Sequence, residues 1–150
     1  MAILNFTTKI DVWQTVSEIQ QILSKQGATH FAIRNEGSRP AAVSFAIDFK
    51  GQPLNFLLPC NYKGVYQIIK KDKATIQKLR MVNSMDKLEQ HSYNVAWRII
   101  KDWIEAQMAL VQVEMVKIEE VFMPYLIINA QGDTLSKKIL EGGGLKLLGN

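Results

Sequence analysis

Hydrophobic and polar positions change period several times along the chain, and each change marks an element. From Ile3 to Ile10 they alternate loosely, Leu4, Phe6 and Ile10 against Asn5, Thr7 and Lys9, which predicts a strand. Asp11 then stands where a helix cap belongs, with Gln14 three positions on as a capping-box partner. Val12, Val16, Ile19 and Leu23 recur at helical spacing until Gly27 supplies a left-handed stop. Three strand-like runs follow: Thr29 to Arg34, Ala42 to Phe49 and Leu54 to Leu58. Their short links, NEGSRP and KGQP, imply an antiparallel meander. In the middle run Val43, Phe45, Ile47 and Phe49 share one face, suited to a core. The opposite face, Ala42, Ser44, Ala46 and Asp48, is either wet or closely approached by other chain.

After Pro59, Asn61 can cap a helix in CNYKGVYQIIKKDK, with Val65, Ile68 and Ile69 inward and the lysines outward. Ser84 or Asp86 opens a long helix predicted to run to about Met115. Its segment from Asn94 to Met115 holds two of the three tryptophans and only five charged residues among twenty-two. Leu88, Val95, Ile99, Trp103, Ala106, Leu110 and Val113 form one apolar stripe; Trp97, Ile100, Ile104, Met108, Val111 and Met115 form a second. A narrow polar strip of Arg98, Lys101, Glu105 and Gln112 faces water between them. Two stripes need two covers. The sheet is the expected cover of the first; the second falls to the C-terminal helices or to another copy of the chain. Trp97, Ile100, Ile104, Met108 and Val111 are therefore the candidate homo-oligomer interface. A short helix that Pro124 interrupts, a turn at NAQGD, a closing helical turn or two and a flexible end from about Gly142 complete the pattern.

The order strand, helix, three strands, helices predicts an α+β fold: one antiparallel sheet packed against a long helix and short helices, in one domain over residues 1–150. Composition narrows this further. A chain with 47% hydrophobic and 21% charged residues is not disordered, and no apolar run approaches the roughly 20 residues that span a bilayer. No membrane partner is expected. The N-terminus lacks the basic leader, apolar block and cleavage site of a signal peptide, and the single cysteine forms no internal disulfide. The expected location is the cytoplasm of a bacterial host.

Charge adds a site. The net charge of +4 is unevenly placed: residues 1–75 carry nine Lys/Arg against five Asp/Glu, and residues 76–150 carry nine against nine. Between Lys63 and Arg80 the cations Lys63, Lys70, Lys71, Lys73, Lys78 and Arg80 face only Asp72. Such a segment either grips a polyanion by releasing its counterions or is a solvated lysine face. Tyr62 and Tyr66 open the segment, where rings can stack on bases. Arg34 and Arg39 flank the first hairpin turn and join the candidate phosphate site if they lie on the same side.

Other chemistry is thinner. Cys60 at a strand-to-helix junction is a reactive thiol only if a histidine sits beside it, and otherwise packs as a small hydrophobe. His30 and His91 are too few for a zinc site without further ligands, so no metal and no cofactor are expected. The carboxylates of the long helix read as surface pairs, Arg98 with Asp102 and Lys101 with Glu105. No enzymatic activity is expected.

AWRIIKDWIEAQMALV, followed by EEVFMPYL and NAQGDTL, resembles a family of small proteins of phages, prophages and related mobile elements. The resemblance spans most of the chain and is most specific over Ala96 to Leu126. It implies a genetic setting of nucleic-acid handling or interference with host defence. The function expected is a non-enzymatic, homo-oligomeric binder of a phosphate-bearing partner, most readily DNA or RNA. The alternative is a counter-defence protein that sequesters a nucleotide second messenger or blocks a host defence protein.

Overall fold

A computed structural model of the chain describes residues 2–72 and 85–142. Helix α1 (Val12–Lys25) leads into strands β1 (Thr29–Glu36), β2 (Arg39–Phe49) and β3 (Gln52–Pro59). Helices α2 (Tyr62–Lys71), α3 (Met85–Gln112), α4 (Ile118–Phe122) and α5 (Leu135–Glu141) follow, with a 3-10 turn at Met123–Tyr125. The strands form one antiparallel sheet in the order β1-β2-β3. The fold is α+β.

Why α1 starts and stops where it does is local chemistry. The Asp11 carboxylate accepts from the Trp13 amide at 3.0 Å and satisfies one of the orphan N–H groups of the first turn. Gln14 makes no return bond among the described residues. At the other end Gly27, at φ 96°, lets the amide of Ala28 reach back to the Leu23 carbonyl at 3.1 Å. Val12, Val16, Ile19 and Leu23 are all buried, and α1 lies along α3.

The predicted strand from Ile3 to Ile10 is not one. Residues 4–7 turn, with the Phe6 amide on the Ile3 carbonyl and Asn5 at φ 64°. Its polar groups go to one another and, with the first amide of α1, to α3 instead of to a ladder. Asn5 Nδ2 donates to Asp102 at 2.8 Å, the Phe6 carbonyl accepts from the His91 ring, and the Val12 amide donates to Asn94 Oδ1 at 3.1 Å. Side-chain partners on a helix replaced a neighbouring strand, so an alternating pattern did not mean a sheet.

In the sheet Phe45 faces Phe56, Val43 faces Leu58 and Ile47 faces Leu54 across β2 and β3. The α4 residue Phe122 caps that face edge-on, 5.1 Å from the Phe45 ring centre, and Trp103 of α3 meets Phe122 at 5.8 Å. Such ring pairs add about 0.5–1.5 kcal/mol beyond their buried area. On the small-residue face Ala42 and Ala46 are buried, so that face is approached rather than wet. The outer edge of β3 is covered in part by the chain at Leu126 and Ile127, whose amide donates to the Asn55 carbonyl at 2.8 Å.

The long helix corrects the sequence reading most. Trp97 and Ile104 are fully buried and Met108 nearly so, within one chain; Ile100 and Val111 are half-buried against the same core. The Trp97 indole donates to the Pro40 carbonyl at 2.9 Å, fixing α3 to the start of β2. Trp97, Ile104 and Met108 of this second stripe are thus core and not a free interface, while Met115, past the end of α3, is exposed. In the first stripe Leu88 and Val95 are buried, while Trp103, Ala106 and Val113 are exposed towards its C-terminal end. The helix packs against α1, α2 and α4. Arg98 reaches Glu18 of α1 rather than Asp102, whereas Lys101 and Glu105 do pair. The flexible end predicted from about Gly142 lies, past that residue, outside the described residues.

Candidate phosphate-binding surface

Helix α2 carries the part of the lysine segment that the structure describes. Asn61 Oδ1 accepts from the Gly64 amide at 3.0 Å. A side chain on Gly64 would sit 2.9 Å from Asn61 Nδ2, so glycine at this position is what leaves room for the cap. Val65 and Ile69 are buried towards α3 and hold the helix down. Ile68, expected inward, is 51% exposed. Its position lies between the buried pair and the lysine face, and a ten-residue helix packed on one partner covers only one side of itself.

Lys63, Lys70 and Lys71 are exposed and make no ion pair among the described residues. The Lys63 and Lys70 ammonium groups hover 6.0 and 5.7 Å from the rings of Tyr62 and Tyr66, a distance of weak cation–π attraction. Lys73, Lys78 and Arg80 lie outside the described residues.

The aromatic part of the prediction changes. Tyr62 stacks on Tyr93 of α3 with ring centres 3.7 Å apart and planes 15° off parallel, and the Arg39 guanidinium lies 5.2 Å from the Tyr93 ring centre. One face of the half-buried Tyr62 ring is thus taken up inside the protein. Tyr66 is half-buried beneath Lys70. Burial, and then the neighbouring Tyr62 hydroxyl, pushes the Tyr93 phenol up, so it stays neutral across the physiological range.

The two arginines part company. Arg39 comes towards α2 through the tyrosine stack, but three of its five N–H groups are engaged on α3: it donates to Gln90 at 2.9 Å and pairs with Asp86 at 3.3 Å and Glu89 at 3.2 Å. It clamps β2 to α3 and is not a free phosphate ligand of the lysine face. Arg34 is exposed on β1, and its guanidinium lies 3.8 Å from where a side chain on Gly132 would begin, by a different turn. Sequence spacing around a hairpin does not say which way each long side chain leans.

Cys60 is buried, its amide donating to the Ala41 carbonyl at 2.8 Å. Burial pushes its thiol up to about 12, with the Tyr62 amide opposing weakly, so it is held as the unreactive thiol. His91 is buried on the Phe6 carbonyl, and His30, exposed at φ 57°, bonds the Thr29 hydroxyl at 2.8 Å. Among the described residues no group of three His, Cys, Asp or Glu could hold a metal ion, and no helix is long and apolar enough to cross a membrane. One feature had no signal in the sequence: Lys9, Arg39, Asp86 and Asn94, from three separate segments, line one cleft of about 410 Å³. Compared with known proteins, the chain matches no protein-family model, no curated protein and no solved structure.

Proposed function

We propose that the chain is a non-enzymatic binding protein for DNA or RNA, acting in the cytoplasm and gripping the phosphate backbone through the exposed lysine face of α2. The carrying observation is a contrast in pairing. Arg39, Arg98, Lys101, Lys137 and Lys138 each lie against a carboxylate; among the described residues Lys9, Lys25, Arg34, Lys50 and Lys117 stand singly without an ion pair, whereas Lys63, Lys70 and Lys71 are three such cations on one helix. A paired cation has already exchanged its hydration for a fixed anion. An unpaired one still gains by displacing counterions from a polyphosphate. Lys73, Lys78 and Arg80 extend the cationic run in sequence.

With Tyr62 stacked inward, recognition falls on the backbone and not the bases, so binding is sequence-independent and steeply salt-dependent. The reading uses one chain, since the inner stripe of α3 is core. The mobile-element setting implied by the α3 motif suits it.

The test is fluorescence anisotropy with single- and double-stranded oligonucleotides of scrambled sequence. Binding at about 50 mM salt is expected, its affinity falling with a log–log slope of about −2.7 on duplex and about −2.1 on single strands for three lysines, and steeper if the further cations join. The double variant Lys70→Glu/Lys71→Glu loses most of that binding while keeping its fold by circular dichroism. A wild-type chain that ignores both oligonucleotides at low salt, or a double variant that binds as well as wild type, sinks the reading.

A further inference from the structure

The cleft between the N-terminal segment, the start of β2 and the first turns of α3 differs in kind from two other hollows among the described residues. One of those, about 310 Å³, is walled by Leu58, Ile99, Ile100, Trp103 and Tyr125; another, about 420 Å³, by Met123, Pro124, Leu135, Ile139 and Leu140. Nothing in the structure says what covers either of them. The third holds about 410 Å³, and the residues around it all end in polar groups, Lys9, Arg39, Asp86, Gln90, His91 and Asn94 among them. That volume is within the range of small-molecule sites.

Its donors are set by bonds made behind them. Asn94 Oδ1 already accepts from the Val12 amide at 3.1 Å and from Gln90 Nε2 at 3.3 Å. The amide orientation is therefore fixed, and its Nδ2 is left as an unused donor among the described residues. Lys9 is exposed and makes no ion pair among the described residues. Arg39 is held by Gln90 through Nε and spends one further N–H on each of Asp86 and Glu89, which leaves two of its five N–H groups. Beneath them His91 is buried, and because a carbonyl oxygen only accepts, its bond to Phe6 puts a proton on Nε2.

The weak member is Asp86. Its carboxylate is 89% exposed and touches Arg39 at 3.3 Å, a contact of the sort that contributes little in water. It occupies the guanidinium as an internal anion that an external one can replace.

We propose that this cleft is a binding site for a compact oxyanion, phosphate or carboxylate, carried on a small polar molecule. Lys9, Arg39 and Asn94 are the ligands, and Asp86 is the displaceable occupant. The residues around it include no Phe, Tyr, Trp, Leu, Ile or Val, and its wall is mostly the carbon stems of these polar side chains, so the oxyanion is what the site recognises. It is separate from the lysine face of α2 and does not depend on the nucleic-acid reading.

The experiment is calorimetric titration of the full chain with inorganic phosphate and, separately, sodium acetate, chloride held constant. Saturable binding in the range of about 10 mM or tighter is expected for at least one of them. Phosphate alone assigns a phosphate-bearing ligand and acetate alone a carboxylate, and either outcome supports the site. Asp86→Asn, which removes the competitor, tightens the preferred anion by about two- to fivefold, and Lys9→Gln weakens it by a similar factor. Both positions are exposed, so both variants fold. Lys70→Glu/Lys71→Glu leaves the anion affinity unchanged, which separates this site from the polymer surface. No saturable uptake of either anion, or one affinity across wild type, Asp86→Asn and Lys9→Gln, overturns the assignment.

Discussion

Cys60 shows how a residue's surroundings decide its chemistry. The thiol sits directly before α2, beside the helix amides that could have activated it, yet burial outweighs them and raises it from 9.0 to about 12. A raised folded value favours the protonated form. Its contribution to stability is whole below about pH 9 and is lost as pH climbs through 12, at no more than about 1.4 kcal/mol per pH unit in between. Tyr93, also raised by burial, adds to the same alkaline limb. Urea unfolding measured from pH 8 to 11 should thus show falling stability, and Cys60→Ala should shallow that fall while lowering the plateau below pH 9. An unchanged slope in the variant assigns the limb elsewhere. Sequence showed the cysteine and its place at a junction, but not how deep it lay.

At the scale of elements the ends are the legible part. Asp11, Gly27 and Asn61 each do in the structure what their residue type predicts, because a cap is a local arrangement of a few neighbouring residues. The far end of α3 departs from the rule. The Met115 amide reaches back to the Leu110 carbonyl at 3.0 Å and the Glu114 amide to Val111 at 3.0 Å, a Schellman turn with Glu114 at φ 61° where glycine normally stands. A side chain there costs about 1 kcal/mol. Glu114 is exposed, so Glu114→Gly should stabilise the fold by about that amount, seen as a higher urea midpoint with unchanged slope. A destabilised variant means the glutamate makes a compensating interaction. The N-terminal run failed at the same scale for a related reason. Period-two alternation specifies a face, and whether that face joins a ladder depends on what chain lies beside it.

For the whole molecule the consequence of the long helix is energetic. Trp97, Ile104 and Met108 belong to one cluster with Ile19 of α1, Phe45 of β2, Ile69 of α2 and Phe122 of α4, so α3 joins elements from both ends of the chain. Ile104→Ala should cost about 2–5 kcal/mol. Ile104→Glu, which buries a charge with no partner, should abolish cooperative unfolding rather than release a folded monomer. Light scattering with circular dichroism distinguishes the outcomes, and a folded Ile104→Glu chain of reduced mass would restore the interface reading.

The candidate site divides the same way. That Lys63, Lys70 and Lys71 share the outer side of a capped helix follows from the sequence, because helical period and the burial of Val65 and Ile69 leave them nowhere else. That Tyr62 turns inward onto Tyr93, that Arg39 is held by α3, and that Lys9 and Asn94 share a cleft are contacts between residues far apart in the chain. Periodicity and capping act over one or two turns, so the chain by itself determined the three strands of the sheet, the caps of α1 and α2 and the lysine side of α2. Which of two apolar stripes is core, and which cations remain free, was decided only when distant segments competed for the same partners. Only in the folded chain are those partners within reach of one another.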